Sequence, residues 1–218
     1  AQVTQRVLKV GVWSPVDDPA DLEIFIDLEG SGELFQDDPS WDCIYLIGFI
    51  PRGSGKQGAY APYVARRPSD ERSIISEFLE YLRKEARSYR LYHWHHYEKT
   101  QLKKACERHG MTDAYQSLVL PHLSDLHKAA QDAFVLPIPT WSIKGVAPYF
   151  GFKWTQDAAD VDAMKSAMIW YKQAADGGSA AGLDKVLQYN KDDCTAMIVV
   201  KDAFDRLDKE TSWLSKKE

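Results

Sequence analysis

The order of hydrophobic and polar residues predicts five strands and six helices. Apolar runs bounded by Gly or Pro are typical of strands, whereas apolar residues spaced three and four apart are typical of helices. The predicted strands cover residues 22–28, 43–50, 59–65, 89–95 and 118–123. The predicted helices cover residues 69–87, 97–109, 125–134, 142–150, 160–175 and 183–207. This order of elements indicates a mixed α/β chain.

The links between the elements predict how the strands pair. Short glycine-containing links join the first three strands, which favours an antiparallel meander. Helices precede the fourth and fifth strands, and strand–helix–strand connections favour parallel pairing with the first strand. Because no repeat or linker divides the chain, we expect one domain over residues 21–210, after an irregular segment at 1–20 and before a C-terminal tail at 211–218.

Composition excludes some classes of function and leaves others. The net charge of −5 argues against a protein that coats nucleic acid, but a nuclease stays possible because metal-binding acids add negative charge. The longest apolar run, residues 43–50, is too short to span a bilayer. Three widely spaced cysteines without a CxxC pair predict free thiols and hence a cytoplasmic protein.

Two acids at the end of the first strand are the main candidates for chemistry. Asp27 and Glu29 follow an apolar run, and alternate residues of a strand point to the same side. Carboxylates this close repel each other unless a cation lies between them, and oxygen ligands favour Mg²⁺ or Mn²⁺. The alternative is that the strand has ended and both acids are solvated in the loop.

Further candidates lie downstream, each with a structural alternative. Tyr189 and Asp193 share a face of the last helix, although the tyrosine could be only a half-buried anchor. Glu98 follows the fourth strand and either joins the acids or simply stabilises the first helical turn. Asp125 closes the fifth strand and points to the same edge, or caps the next helix.

In chain order, these segments resemble the DEDD exonucleases of the ribonuclease H-like superfamily. They are most similar to the ribonuclease H-like domain of bacterial predicted RecB-family nucleases. The resemblance implies a mixed five-stranded sheet, three antiparallel strands followed by parallel ones, with flanking helices and a long C-terminal helix. The segments that carry it are residues 19–30, 44–48, 92–100, 123–126, 139–146 and 189–194.

The resemblance assigns roles to individual residues. Asp27 and Glu29 match the family's first acidic motif, and Tyr189 and Asp193 match its last. Asp125 matches an acid of the narrower family, with a structural or metal-related role.

The middle motif departs from the wider family. His93 stands where the family has Asn, and Tyr97-Glu98 stands where it has an aromatic residue and Asp. Glu98 is one methylene longer than Asp, so the second metal site depends on its reach.

The implied activity is 3′→5′ exonuclease action with two Mg²⁺ or Mn²⁺ ions per site. Asp27 would bridge the ions, other acids would complete the coordination, and Tyr189 would orient the attacking water. His93, His95 and Lys144 are candidates for substrate binding. The expected partner is DNA or RNA with a single-stranded 3′ end, and a helicase or second nuclease domain is a further candidate.

Two other functions stay open from the sequence. His93 and His95 form a His-x-His pattern used by zinc hydrolases, with His109, His122 and His127 as further ligands. This reading leaves the Asp27/Glu29 pair unexplained, and zinc content would test it. The second alternative is a catalytically impaired nuclease-like module that binds nucleic acid without cleaving it. The Glu98 difference is the only support for that reading.

Overall fold

A computed structural model describes residues 7–15, 20–32, 38–176 and 180–214. Within these ranges the chain forms a six-stranded mixed sheet, a separate two-stranded sheet and seven α-helices. The strands are β1 (Leu8–Lys9), β2 (Leu22–Gly30), β3 (Ile44–Gly53), β4 (Lys56–Gln57), β5 (Ala61–Val64), β6 (Tyr89–His93), β7 (Leu123–Asp125) and β8 (Phe134–Val135). The helices are α1 (Glu71–Lys84), α2 (Tyr97–Arg108), α3 (Thr112–Ala114), α4 (Leu126–Ala133), α5 (Ile143–Tyr149), α6 (Ala163–Asp176) and α7 (Ala180–Leu214).

The topology of the large sheet confirms the predicted pairing. Strands β2 and β3 pair antiparallel from Leu22 opposite Gly53 to Glu29 opposite Leu46, and β5 pairs antiparallel with β3. Strand β6 pairs parallel with β2, and β7 pairs parallel with β6. The sheet therefore combines an antiparallel meander with two parallel strands. The two-residue β4, which the apolar pattern did not predict, adds the sixth strand beside β3.

The predicted strand at 118–123 is wrong for most of its length. Residues Tyr115–Val119 form a π-helical turn and Leu120–His122 a 3₁₀ turn, and β7 begins only at Leu123. Pro121 has no N–H to donate to a neighbouring strand, which disfavours sheet pairing at this point. Pairing with β6 starts where Leu123 lies opposite Leu91.

The ends of the described chain also differ from the predicted pattern. Strand β1 lies inside the segment expected to be irregular, and it pairs antiparallel with β8. Helix α7 continues to Leu214, into the expected tail. Residues 1–6, 16–19 and 215–218 of these two segments lie outside the described residues.

Two hydrophobic cores lie on opposite faces of the sheet. Ile24 and Ile26 belong to one core with residues of α1, α2 and α6, whereas Phe25 belongs to the other with residues of α4, α5 and α7. This alternation follows from the two-residue period of a strand. All three cysteines are free and buried. Within the described ranges, no helix combines the length and apolar character needed to cross a membrane.

A buried acid joins three elements on the first of these faces. Glu71, only 2% exposed, accepts hydrogen bonds from the Ile44 backbone N–H at 2.7 Å and from Arg108 Nη2 at 2.7 Å. Its other oxygen lies 2.6 Å from His109 Nε2. Glu71 therefore links the start of α1 to β3 and to the end of α2, where sequence alone indicates only a favourable first-turn acid.

We expect Glu71→Gln to lower the free energy of unfolding by about 3 kcal/mol, because the substitution removes the buried negative charge with which Arg108 pairs. Denaturant unfolding monitored by circular dichroism measures the change. The matched control is Glu80→Gln, which breaks an exposed pair with Arg83 and should cost less than about 1 kcal/mol. Equal losses in both variants would contradict the assigned role of Glu71.

Candidate functional site

Three acids from two distant parts of the chain meet at one end of the large sheet. Asp27 and Glu29 lie on β2, and Asp193 lies on α7. Each offers a carboxylate oxygen, and these oxygens all lie within 4.8 Å of one another. Glu29 and Asp193 are each only 5% exposed. The three residues, called the acidic trio below, are the predicted metal ligands that the structure groups together.

Asn190 sets the position of α7 on the sheet. Its Nδ2 donates to the Asp27 carbonyl oxygen at 3.1 Å and to Asp27 Oδ2 at 2.7 Å, while its Oδ1 accepts from the Tyr60 hydroxyl at 2.7 Å. Gly48 lies opposite Asp27 on β3, and a Cβ there would come 1.7 Å from Asn190 Oδ1. The close approach therefore needs glycine at position 48. Asp193 follows Asn190 by three residues and reaches the other acids.

Neighbouring donors hold two members of the trio. Trp154 Nε1 donates to Asp193 Oδ1 at 2.6 Å. The Tyr45 hydroxyl lies 3.4 Å from Glu29 Oε2 and 2.7 Å from Ser166 Oγ, which connects Glu29 to α6. These contacts orient the carboxylates.

The electrostatics of the trio fit a bound divalent cation. Burial, with repulsion from Asp193, raises the pKa of Glu29 to about 8, and burial raises the pKa of Asp193 to about 6. Burial and the charges of its acidic neighbours also raise the pKa of Asp27. Lys144 lowers all three pKa values but does not offset the other effects. Clustered, mutually repelling oxygen ligands are the donor set that Mg²⁺ and Mn²⁺ prefer.

Glu98 lies beside the trio without belonging to it. Its side chain is buried, and Oε2 has no hydrogen-bond partner. His93 Nδ1 lies 3.6 Å from that oxygen. The charge of Glu98 raises the pKa of Asp27, so the two carboxylates are within electrostatic range. A buried oxygen without a partner is costly unless it meets a donor or a cation.

Asp125 acts as a helix cap in the structure. Its Oδ1 accepts from the Lys128 backbone N–H at 3.1 Å, at the start of α4, and from the His95 backbone N–H at 3.1 Å. It is not a member of the acidic trio. Of the two readings left open by the sequence, the capping interaction is the one observed.

The candidates for substrate binding occupy different environments. His93 is buried, with Nδ1 2.5 Å from the His95 carbonyl oxygen, whereas His95 is exposed. In the described part of the chain, no histidine joins a group of potential metal ligands. The geometry of these residues therefore does not support the zinc hydrolase alternative. Lys144 Nζ donates to the Val161 carbonyl oxygen at 2.7 Å and lies 4.4 Å from the centre of the Tyr189 ring.

The tyrosine predicted to accompany Asp193 is also at the site. Tyr189 is buried, and its hydrogen bond lowers the pKa of Asp193. Burial and the three acids raise the pKa of Tyr189 above its usual range, so the hydroxyl keeps its proton.

Several residues at the site were missed by sequence reasoning. Asn190 precedes Asp193 by three residues on a helix, and this spacing was a usable signal. Trp154 and Ser166 lie far in sequence from Asp27, Glu29 and Asp193, and no local pattern marks them. Their roles depend on contacts between distant elements.

Comparison with known proteins identifies the family. Residues 24–204 match the RNase_H superfamily, and the chain therefore belongs to this superfamily. Among solved structures, the family B DNA polymerase from the hyperthermophilic archaeon Pyrobaculum calidifontis has a similar fold, with a TM-score of 0.64 at 15% sequence identity. The match covers 91% of this chain but only 28% of the polymerase. A search of curated proteins finds no match. The predicted ribonuclease H-like fold is confirmed.

The raised pKa values predict how pH changes the stability of the cation-free protein. A carboxyl group with a raised pKa binds more protons when folded than when unfolded, so stability falls as pH rises between the two values. For Glu29 this window runs from 4.5 to about 8. We expect the melting temperature in EDTA to fall from pH 5 to pH 8, measured by differential scanning calorimetry.

Mn²⁺ should counteract this fall in melting temperature. It should raise the melting temperature more at pH 8 than at pH 5, because ligands must be deprotonated to bind a cation. Glu29→Gln should flatten the pH dependence. If Mn²⁺ gives the same small shift at both pH values, the trio does not bind the cation.

Proposed function

We propose that this protein is a metal-dependent nuclease that hydrolyses phosphodiester bonds in DNA or RNA. The observation that carries the proposal is the acidic trio of Asp27, Glu29 and Asp193, whose oxygens lie within 4.8 Å of one another and of which Glu29 and Asp193 are buried. Membership of the RNase_H superfamily supports it. The similar polymerase fold also belongs to a protein that acts on nucleic acid.

We further propose a 3′→5′ exonuclease of the DEDD type, in the tyrosine variant, with two Mg²⁺ or Mn²⁺ ions. Asp27, Glu29 and Asp193 would hold the ions, and Glu98 is the fourth acid, since its buried Oε2 lacks a hydrogen-bond partner. When bound, such ions supply an activated water and neutralise charge on the leaving oxygen. Trp154 and Tyr45 restrict the carboxylates to one orientation.

Tyr189 has a positioning role in this proposal. Its hydroxyl keeps its proton and donates it to Asp193, so its oxygen can accept a hydrogen bond but cannot serve as a base at neutral pH. Contact with Lys144 on one side and Asp193 on the other holds the ring. The hydroxyl would orient the attacking water toward the phosphorus.

Lys144 is the proposed phosphate contact. Its ammonium group lies next to Tyr189, and its charge lowers the pKa of all three acids of the trio. A lysine at this position can neutralise a substrate phosphate as it approaches a negatively charged site.

The extent of the nuclease unit and its partners are also proposals. Residues 21–210 would act as one domain, because α7 packs against both β2 and β3. The substrate would be a single-stranded 3′ end. Kinship with RecB-family nucleases and the presence of a helicase or second nuclease domain rest on sequence resemblance alone.

The test of the proposed function is a time course on single-stranded DNA and RNA labelled at either end. We expect Mg²⁺- or Mn²⁺-dependent release of nucleotides from the 3′ end, and complete inhibition by EDTA. Asp27→Asn should slow the reaction by more than about 100-fold, the scale of effects around metal sites. Asp132→Asn, which alters an exposed acid paired with Lys128, is the matched control and should cleave at the wild-type rate.

Equal degradation by wild type and Asp27→Asn, or indifference to EDTA, would refute the metal-dependent mechanism. Binding of nucleic acid in Mn²⁺ without any cleavage would favour the impaired binding module. Stoichiometric zinc in the purified protein would favour the zinc hydrolase.

Tyr189→Phe tests the orientation of water separately from metal binding. We expect the rate at saturating substrate to fall by about 100-fold, the scale of the loss when a reacting group is misplaced. The Mn²⁺-induced rise in melting temperature should stay at the wild-type value, because no metal ligand is removed. Tyr115→Phe, which removes a hydroxyl that donates to the Lys99 carbonyl oxygen in α2 at 3.2 Å, is the control. Loss of Mn²⁺ stabilisation in Tyr189→Phe would show a structural role instead.

A further inference from the structure

An aromatic cleft of about 450 Å³ lies between the end of β6, the first turn of α4 and the residues that lead into α5. This volume is within the range of small-ligand sites. Four rings and two hydroxyl-bearing residues line most of it. They are Trp94, His95, His127, Trp141, Thr140 and Ser142.

The rings of the cleft are arranged around His127. The ring centre of His95 lies 4.7 Å from that of His127, and the Trp94 centre lies 5.6 Å away, both in edge-to-face geometry. Trp141 is also perpendicular to His127, at 6.5 Å. Trp94 Nε1 donates to the Trp141 carbonyl oxygen at 3.0 Å, which restrains the two segments relative to each other.

The backbone around His95 supports the same arrangement. His95 has a φ of 72°, a left-handed conformation that is unfavourable for a residue with a Cβ. Its N–H is held by Asp125 Oδ1, and the same oxygen caps α4, which carries His127. One carboxylate oxygen thus joins the backbone at His95 to the start of the helix that carries His127.

The cleft adjoins the acidic site through two short connections. Ser142 and Lys144 are two residues apart, and Lys144 lies against Tyr189. On the other side, His95 is two residues from His93, which lies 3.6 Å from Glu98. A strand bound at the acids can therefore reach the cleft with a nearby nucleotide.

We propose that the aromatic cleft binds an unpaired nucleobase of the substrate strand, close to the nucleotide at the acidic trio. The inference rests on the proposed nuclease function and adds a specific subsite to it. Bases stack on aromatic side chains in a sequence-tolerant way, and the Thr140 and Ser142 hydroxyls, whose oxygens accept from the Ser142 and Gly145 backbone N–H groups, each keep a hydrogen to donate to the base edge. Burial lowers the pKa of His127, so its ring is neutral at pH 7 and can both donate and accept hydrogen bonds.

The experiment measures binding rather than cleavage. The protein is the Asp27→Asn variant in Mg²⁺, and the probes are fluorescent single-stranded DNA and RNA oligonucleotides with one abasic site at successive distances from the 3′ end. We expect one or two abasic positions to weaken binding by about 5- to 100-fold, the range for loss of one stacked base. His127→Ala and Trp141→Ala, added to the parent variant, should weaken binding of the intact strand by a similar factor.

In those variants the abasic positions should have no further effect, because the partner of the base has gone. Trp141→Phe, which keeps an aromatic ring, should recover most of the affinity that Trp141→Ala loses. The melting temperature of each variant verifies that it folds. Tyr149→Ala, which removes an aromatic ring at the far end of α5, is the matched control and should bind like the parent.

Each outcome decides between the two proposals. If abasic positions weaken binding equally in the parent and in His127→Ala, or have no effect in the parent, the cleft does not bind a base. Cleavage by the wild type would then still support the proposed nuclease function. If no strand binds and the wild type does not cleave, both proposals fail. A difference between the DNA and RNA series identifies the preferred substrate.

Discussion

The contact between α7 and the sheet at Asn190 is the constraint on which the site depends. One amide side chain bonds both the backbone and the carboxylate of Asp27, which lies 163 residues away in sequence. Glycine at position 48 lets the helix approach closely enough for this bond. Because the helix is then fixed in both depth and rotation, Asp193 and Tyr189 can only face the acids of β2. The arrangement of the acidic trio therefore depends on a packing contact between a helix and the sheet.

That contact places like charges together in a poorly solvated position, which is unfavourable for folding. Trp154 and Lys144 reduce the repulsion, but the pKa values of Glu29 and Asp193 stay raised. Such strain is typical of functional sites, where a ligand supplies the missing interaction. Glu71 shows the opposite solution, since the Arg108 guanidinium pairs with it at 2.7 Å and His109 Nε2 lies 2.6 Å from its other oxygen. Glu71 therefore has a paired cation within the protein, whereas the acids of the trio keep raised pKa values.

A local sequence pattern predicts an element correctly where only one kind of secondary structure suits the segment. It fails where a strand and a helical turn are equally favourable. An apolar run predicted β2, and the two-residue period of a strand placed Asp27 and Glu29 on one side of it. The apolar segment before Leu123 looked like a strand but forms helical turns, because its side chains can be buried in either geometry. Glu71 and Asp125 both follow helix-start patterns. Tertiary contacts make the first a buried ionic hub and leave the second as a cap.

By itself, the sequence determined the order of the elements, the shared side of Asp27 and Glu29, and the shared face of Tyr189 and Asp193. These follow from the two-residue period of strands and the four-residue spacing of helices. The tertiary structure alone decided that the oxygens of the trio lie within 4.8 Å of one another, that Glu98 is within electrostatic range of Asp27, and that four rings line one cleft. Those distances depend on the register between elements far apart in the chain, and local periodicity carries no information about that register.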